Sequence, residues 1–169
     1  DKLSNRPLHD EDGHLVMRQN FLIEGIECGI GMIVQEQGTV PGISVAENIF
    51  LGEEKKFGKV LISRAKMQAE AKKVLENIGL TDVDPGAPIE SLDMQDRKLV
   101  EIAKTVYMKP EMLVVDETTT ALSQRGRDII YDIMKKMRDD NKAVVFISHD
   151  LEELMEICDT LTVLRDGNF

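Results

Sequence analysis

Apolar positions along this chain follow two rhythms. Unbroken apolar runs at 30–34 (IGMIV), 112–115 (MLVV) and 143–147 (AVVFI) are bounded by polar turns, which reads as short strands buried on both faces, as inside a parallel sheet. Weaker strand candidates lie at 14–17 and 160–164. Elsewhere the spacing is helical. Residues 63–78 place Met67, Ala71, Val74, Leu75 and Ile78 on one face, open on Ser63 and close on Gly79, so both caps are present. Helices are likewise expected at 21–28 (Phe21, Leu22 and Ile26 on one side), 45–51, 95–108 (Leu99, Ile102, Ala103 and Val106 inward), 127–138 (Ile130, Ile133, Met134, Met137) and 151–157. Ser44 with Glu47, and Asp150 with Glu153, have the spacing of a capping box.

Turn residues punctuate these elements. Residues 36–42, with Gly38, Pro41 and Gly42, read as a hinge loop, 52–58 as a charged loop, and 81–90, with Pro85, Gly86 and Pro88, as a linker. From residue 111 onward the order strand, helix, strand, helix, strand predicts a parallel α/β core. The helices between the strands at 30–34 and 112–115 read as an inserted helical subdomain.

Chemistry enters where the strands end. The run 112–115 ends in Asp116 and Glu117, the run 143–147 in Ser148, His149 and Asp150, and the run 30–34 in Gln35. Taken singly, each has an ordinary reading: turn acids after a core strand, a structural histidine, a solvated glutamine. Together they bring three polar, catalysis-capable groups to the C-terminal strand ends, where ligands bind in open α/β sheets. One carboxylate can hold a hydrated Mg²⁺ while its neighbour orients or deprotonates a water, and a Gln carbonyl or amide can join the metal shell or hold that water.

Composition narrows the class. With 169 residues, 42% hydrophobic and 31% charged, the chain is long enough for one domain with its own core. A formal net charge of -10, no Trp and an aromatic fraction of 4% speak against a nucleic-acid partner, which calls for a basic surface and stacking rings. Cys28 and Cys158 have no metal-ligand spacing and read as free thiols in a reducing compartment. His9 and His14 lie in polar surroundings and read as surface residues. No run reaches the length of a membrane span, and the opening residues lack the pattern of a signal peptide.

In order along the chain stand Gln35, VAENIFLG at 45–52, LVEIAK at 99–104, LVVDE at 113–117, ALS at 121–123, ISHD at 147–150 and EICDTLTVLRDG at 156–167. This set resembles the nucleotide-binding domain of ATP-binding cassette (ABC) transporters, and more narrowly the first cassette of sugar importers of the ribose, galactose and xylose type. The resemblance runs from about Leu8 to the end. It implies a P-loop NTPase-like parallel sheet with an inserted α-helical subdomain, divided as 1–43, 44–110 and 111–169. Gln35 then corresponds to the Q-loop glutamine, a ligand of Mg²⁺ and of the attacking water. Asp116 corresponds to the Walker B aspartate that holds Mg²⁺, and Glu117 to the general base. His149 corresponds to the switch histidine at the γ-phosphate, and Ser123 to the D-loop at the interface between cassettes. ATP and Mg²⁺ are the implied ligands. A second cassette, membrane permease subunits and, indirectly, a sugar-binding protein are the implied partners, at the cytoplasmic face of the membrane.

The sequence departs from that pattern in three places. Thr118 stands where the family has Pro, which bears on loop stiffness. The signature LSxGQ falls on Leu92, Asp93, Met94, Gln95 and Asp96, so Asp93 and Gln95 replace the Ser and Gly that would contact the γ-phosphate bound by the opposite cassette. A carboxylate repels a triphosphate and a Gln side chain obstructs close backbone approach, so this composite site is expected to be degenerate. Finally, no G-x-x-x-x-G-K-[ST] occurs. The fold is thus expected to be incomplete, without the Walker A loop and its strand, which the resemblance places upstream and between the strands at 112–115 and 143–147. The 169 residues alone are expected to bind ATP weakly or not at all. Two other readings remain open: a cassette of the DNA-repair or translation-factor kind, and a non-catalytic interaction domain on the same scaffold.

Overall fold

Three parallel strands form one sheet in the computed structural model, which describes residues 28–35, 38–58 and 61–163. Their order is β1 (Ile30–Ile33), β2 (Met112–Asp116), β3 (Ala143–Ile147). The register aligns Gly31, Leu113 and Val144 in one row and Ile33, Val115 and Phe146 in the next. Residues in such a row share a face of the sheet, and on this face Ile33, Leu113 and Val115 are fully buried. On the other face Met32, Val145 and Ile147 are exposed. The expectation of strands buried on both faces is therefore corrected: among the described residues, the helices cover one face only.

A second correction concerns strand order. β2 pairs directly with β3 from Met112↔Ala143 to Asp116↔Ile147, which leaves no gap between them for another strand. Among the described residues the outer edge of β3 carries no partner.

Between β1 and β2 the chain forms α1 (Val45–Ile49), a 3₁₀ turn (Glu54–Phe57), α2 (Arg64–Asn77) and α3 (Met94–Tyr107). The α1 capping box is complete: Ser44 Oγ accepts from the Glu47 N–H, and the Glu47 carboxylate accepts from the Ser44 N–H at 2.8 Å. α2 starts on Ser63 and ends at Gly79, whose φ of 78° suits glycine. Phe50 joins the helices, with its ring 4.7 Å from that of Phe57 and 5.0 Å from that of Tyr107, and burying such a side chain contributes about 1.5–3 kcal/mol. The segment read as a linker is partly packed: Val45 N–H donates to Ala87 O (3.0 Å), Ile89 N–H donates to Ile43 O (3.1 Å), and Ile89 is buried.

α3 lies against β1 because β1 contains a glycine. A Cβ on Gly31 would stand 2.9 Å from Thr105 Cγ2 and 3.0 Å from Pro110 Cγ, closer than packing allows. After β2 come a 3₁₀ turn (Thr119–Ala121), the crossover helix α4 (Gln124–Asp139), β3 and α5 (Leu151–Ile157). α4 begins three residues before the expected 127, because the Ser123 hydroxyl accepts from the Gly126 N–H and caps the helix there. The strand expected at 160–164 does not form over 160–163, where Leu161 and Val163 are exposed; no described strand lies beside them to satisfy their backbone groups. The strand expected at 14–17 falls outside the described residues, as does the helix expected at 21–28 apart from its last residue, Cys28, which lies in a turn. Cys28 and Cys158 are both free thiols, and burial raises the pKa of Cys158.

Candidate functional site

Because the strands are parallel, their C-terminal ends share one rim of the sheet. Glu117 follows β2 at once; its N–H donates to Ile147 O at 3.0 Å, and its φ of 44° is left-handed. That conformation costs a non-glycine residue about 1 kcal/mol. It breaks the strand just after Asp116. Two residues beyond β3 stands His149, whose Nδ1 lies 3.8 Å from Glu117 Oε1, with 69% and 43% of the two side chains exposed. Asp116 is half-buried at the tip of β2, and Gln35 is exposed two residues past β1. The structure thus brings Glu117 and His149 into contact and puts Asp116 and Gln35 at the same rim.

Buried polar contacts hold this rim. Thr118 is fully buried, and its hydroxyl lies 3.0 Å from Asp116 O and 3.3 Å from Ile33 O, tying the ends of β1 and β2 together. A proline at this position could not make that bond. Lys98, on α3 and 5% exposed, donates to Val34 O and pairs with Glu101 at 3.0 Å; Glu101 in turn accepts from the Gly38 N–H at 3.1 Å. One helix therefore grips the chain on both sides of Gln35. Neither Lys98 nor Glu101 was recognised from sequence, although a readable signal existed: Lys98 lies four residues before Ile102, on the inward stripe of the helix.

Asp93 and Gln95 act locally. The Asp93 carboxylate caps α3 by accepting from the Asp96 N–H at 2.8 Å. Burial and the nearby Asp93 charge raise the pKa of Asp96. Gln95 Oε1 accepts from the Ser123 N–H at 3.2 Å, so these two expected site residues meet within one chain. Nearby, Arg125 grips Asp82 through two bonds of 2.8 and 2.7 Å and holds its pKa down to about 2.

Among the described residues no group of three or more His, Cys, Asp or Glu is placed to hold a metal. The oxygen donors at the rim, the Asp116 carboxylate and the Gln35 carbonyl, suit a hard cation that keeps most of its waters. Beside His149 an open depression of about 840 Å³ lies between α4 and α5. It is lined by Asp150, Glu152, Glu153 and Glu156 against a single Arg127, a balance that repels phosphate.

Residues 8–120 match the family model described as ABC transporter. The ribose import ATP-binding protein RbsA of Chromobacterium violaceum is 41% identical over 143 residues, 84% of this chain and 28% of that protein. The arabinose import ATP-binding protein AraG of Vibrio parahaemolyticus is 35% identical over 162 residues, 92% of this chain and 31% of that protein. The chain thus spans less than a third of these curated relatives. Among solved structures, cbiO1 of Clostridium perfringens, described as part of the ABC transporter complex cbiONQ, superposes with a TM-score of 0.65 at 19% identity, over 93% of this chain and 61% of that one. A dimeric ATP-binding cassette in a post-hydrolysis state, bound to ADP and Pi, gives 0.63 at 21% identity, over 80% and 59%. At these identities the superpositions speak for the fold.

Proposed function

Since the chain belongs to the ABC transporter family, we propose that it is part of an ATP-hydrolysing subunit of a sugar importer. The single observation that carries this reading is the meeting of Glu117 and His149 at 3.8 Å on the rim that also bears Asp116. The relatives named for ribose and arabinose import support the substrate class.

In this reading Glu117 takes the proton of the attacking water as general base, and His149 contacts the γ-phosphate. Gln35 orients the same water. Mg²⁺ would be held by Asp116, through water, and by Gln35, and supplies charge neutralisation at the phosphates. Ser123 lies toward a second cassette. Residues 44–110 and the loop after Gln35 pass the nucleotide state to permease subunits at the cytoplasmic face of the membrane, with residues 1–43 and 111–169 forming the core and a sugar-binding protein acting upstream. Nucleic acid is no partner.

Asp93 and Gln95 leave the site completed by this chain's signature degenerate, while the site built on Glu117 and His149 relies on a signature from the partner cassette. ATP turnover in the assembled transporter tests this. Substitution of the partner's signature should abolish most hydrolysis; undiminished hydrolysis refutes the assignment. A second reading, a non-catalytic interaction domain, is favoured by one observation, the in-chain bond of Gln95 to Ser123; loss of turnover on substituting the partner's signature speaks against it.

A further inference from the structure

Glu153 stands in the first turn of α5, where its spacing from Asp150 predicts a carboxylate turned back to the Asp150 N–H. The side chain does not turn back. Asp150 N–H donates to Ser148 Oγ at 3.1 Å, and Asp150 Oδ1 accepts from the N–H groups of Glu152 (3.0 Å) and Glu153 (3.2 Å). The start of the helix is satisfied without the Glu153 carboxylate.

That carboxylate accepts three bonds from three other elements. Ser148 Oγ donates to Oε2 at 2.7 Å, Thr119 Oγ1 donates to Oε2 at 3.1 Å, and Tyr131 Oη donates to Oε1. Ser148 belongs to the turn after β3, Thr119 to the 3₁₀ turn after β2, and Tyr131 to α4. Burial, and then this acceptor, raise the pKa of Tyr131, so the phenol stays a donor. Thr119 is 2% exposed. Hydrogen bonds to a charged acceptor are stronger than neutral ones.

Two of the three donors flank the reacting pair. Ser148 directly precedes His149, and Thr119 is the second residue after Glu117. At 3.8 Å the His149 and Glu117 side chains are beyond hydrogen-bonding distance, so their own contact does not fix their spacing. The backbone beneath them does.

We propose that Glu153 is a positioning residue: its carboxylate fastens the turn carrying His149 to the segment following Glu117 and thereby sets the separation of imidazole and base. This role rests on the hydrolytic reading of Glu117 and His149.

Amide hydrogen exchange on the chain itself tests the fastening without any turnover. Glu153→Ala should accelerate exchange at least fivefold at both 119–122 and 148–150, with the amides of β2 and α3 unchanged. Tyr131→Phe, which removes one of the three bonds, should produce a smaller rise in the same two segments and serves if Glu153→Ala fails to fold. Acceleration in one segment only, or in neither, overturns the proposal. In the assembled ATPase, Glu153→Ala should lower kcat at least tenfold with KM for ATP within twofold, and Glu153→Asp, which keeps the charge, should recover part of the loss. A loss confined to KM also overturns it. A wild type without turnover but with coupled exchange overturns the hydrolytic reading alone; uncoupled exchange with normal turnover overturns the positioning role alone.

Discussion

Glu117 and His149, which come from different strand ends and stand 32 positions apart in sequence, approach to 3.8 Å. With Glu117 as general base, Glu117→Gln should lower kcat by roughly 10²–10⁴-fold, the usual contribution of a positioned base. ATP binding in the assembled transporter should be unchanged. Phosphate release in single turnover reads the first quantity and equilibrium nucleotide binding the second; a kcat within threefold of wild type contradicts the role.

Gln95 holds the Ser123 N–H within its own chain, and Asp93 places a carboxylate at the start of α3. Replacing the pair by Asp93→Ser and Gln95→Gly keeps an N-cap and removes both the repulsion and the obstruction. With this chain's own site silenced by Glu117→Gln, the double replacement should raise the remaining ATP turnover at least tenfold. Unaltered turnover would show that these two positions do not cause the degeneracy.

Thr118 spans the ends of β1 and β2 through a buried hydroxyl. Thr118→Val keeps the shape but leaves two carbonyl oxygens without that donor, at a cost of about 1 kcal/mol. Thr118→Ser retains the hydroxyl and should cost less. Urea denaturation of the three proteins checks the order, and a Val variant as stable as wild type removes the hydroxyl from the account.

Lys98 and Glu101 are a buried pair, with 6% and 12% of their side chains exposed. Removing one partner strands the other charge, so Lys98→Met should destabilise by roughly 3 kcal/mol, whereas Lys98→Met with Glu101→Leu should recover much of that loss. Additive losses in this double-mutant cycle would mean that the charges are not coupled.

Glu47 has its carboxyl held below the usual range, first by the Ser44 N–H and then by the Ser44 hydroxyl, with burial opposing and Arg64 assisting. A depressed folded-state pKa gives stability that is fully present above the unfolded value of about 4.3 and is lost as pH falls through the lower folded value. The advantage of wild type over Glu47→Ala, about 1 kcal/mol at neutral pH for such a cap, should shrink as pH drops below that unfolded value. Thermal melts from pH 7 to pH 3 follow it; a constant difference would assign the stabilisation to something other than ionisation.

Much of the fold was legible because its causes are local. The apolar runs at 112–115 and 143–147 fall on strands, and Ser44, Ser63 and Asp150 cap the helices that follow them, each through a side chain that reaches only two or three residues along the chain. Direct pairing of β2 with β3 was not legible, since strand order depends on how helices pack and not on any property of the strands. Half-burial of the sheet was missed for the same reason: MLVV has the same composition whether one face is covered or two. At the rim, Glu117 and His149 declared themselves by standing at strand ends. Glu153 did not, because its spacing from Asp150 satisfies a local rule while its side chain answers to Ser148, Thr119 and Tyr131. Long-range acceptors of this kind leave no periodic trace.

The outer side of β3 has a consequence for handling the protein. Among the described residues the strand itself, AVVFI, carries no charge or proline to keep it from recruiting a stranger, and the depression beside it is lined by Val145, Ile147, Leu161 and Val163 together with Lys135, Arg138, Lys142 and Asp159. Among the described residues nothing covers this edge, so at high concentration the chain should self-associate through it, and light scattering should grow with concentration. A lysine in place of Val145 ought to keep the preparation monodisperse.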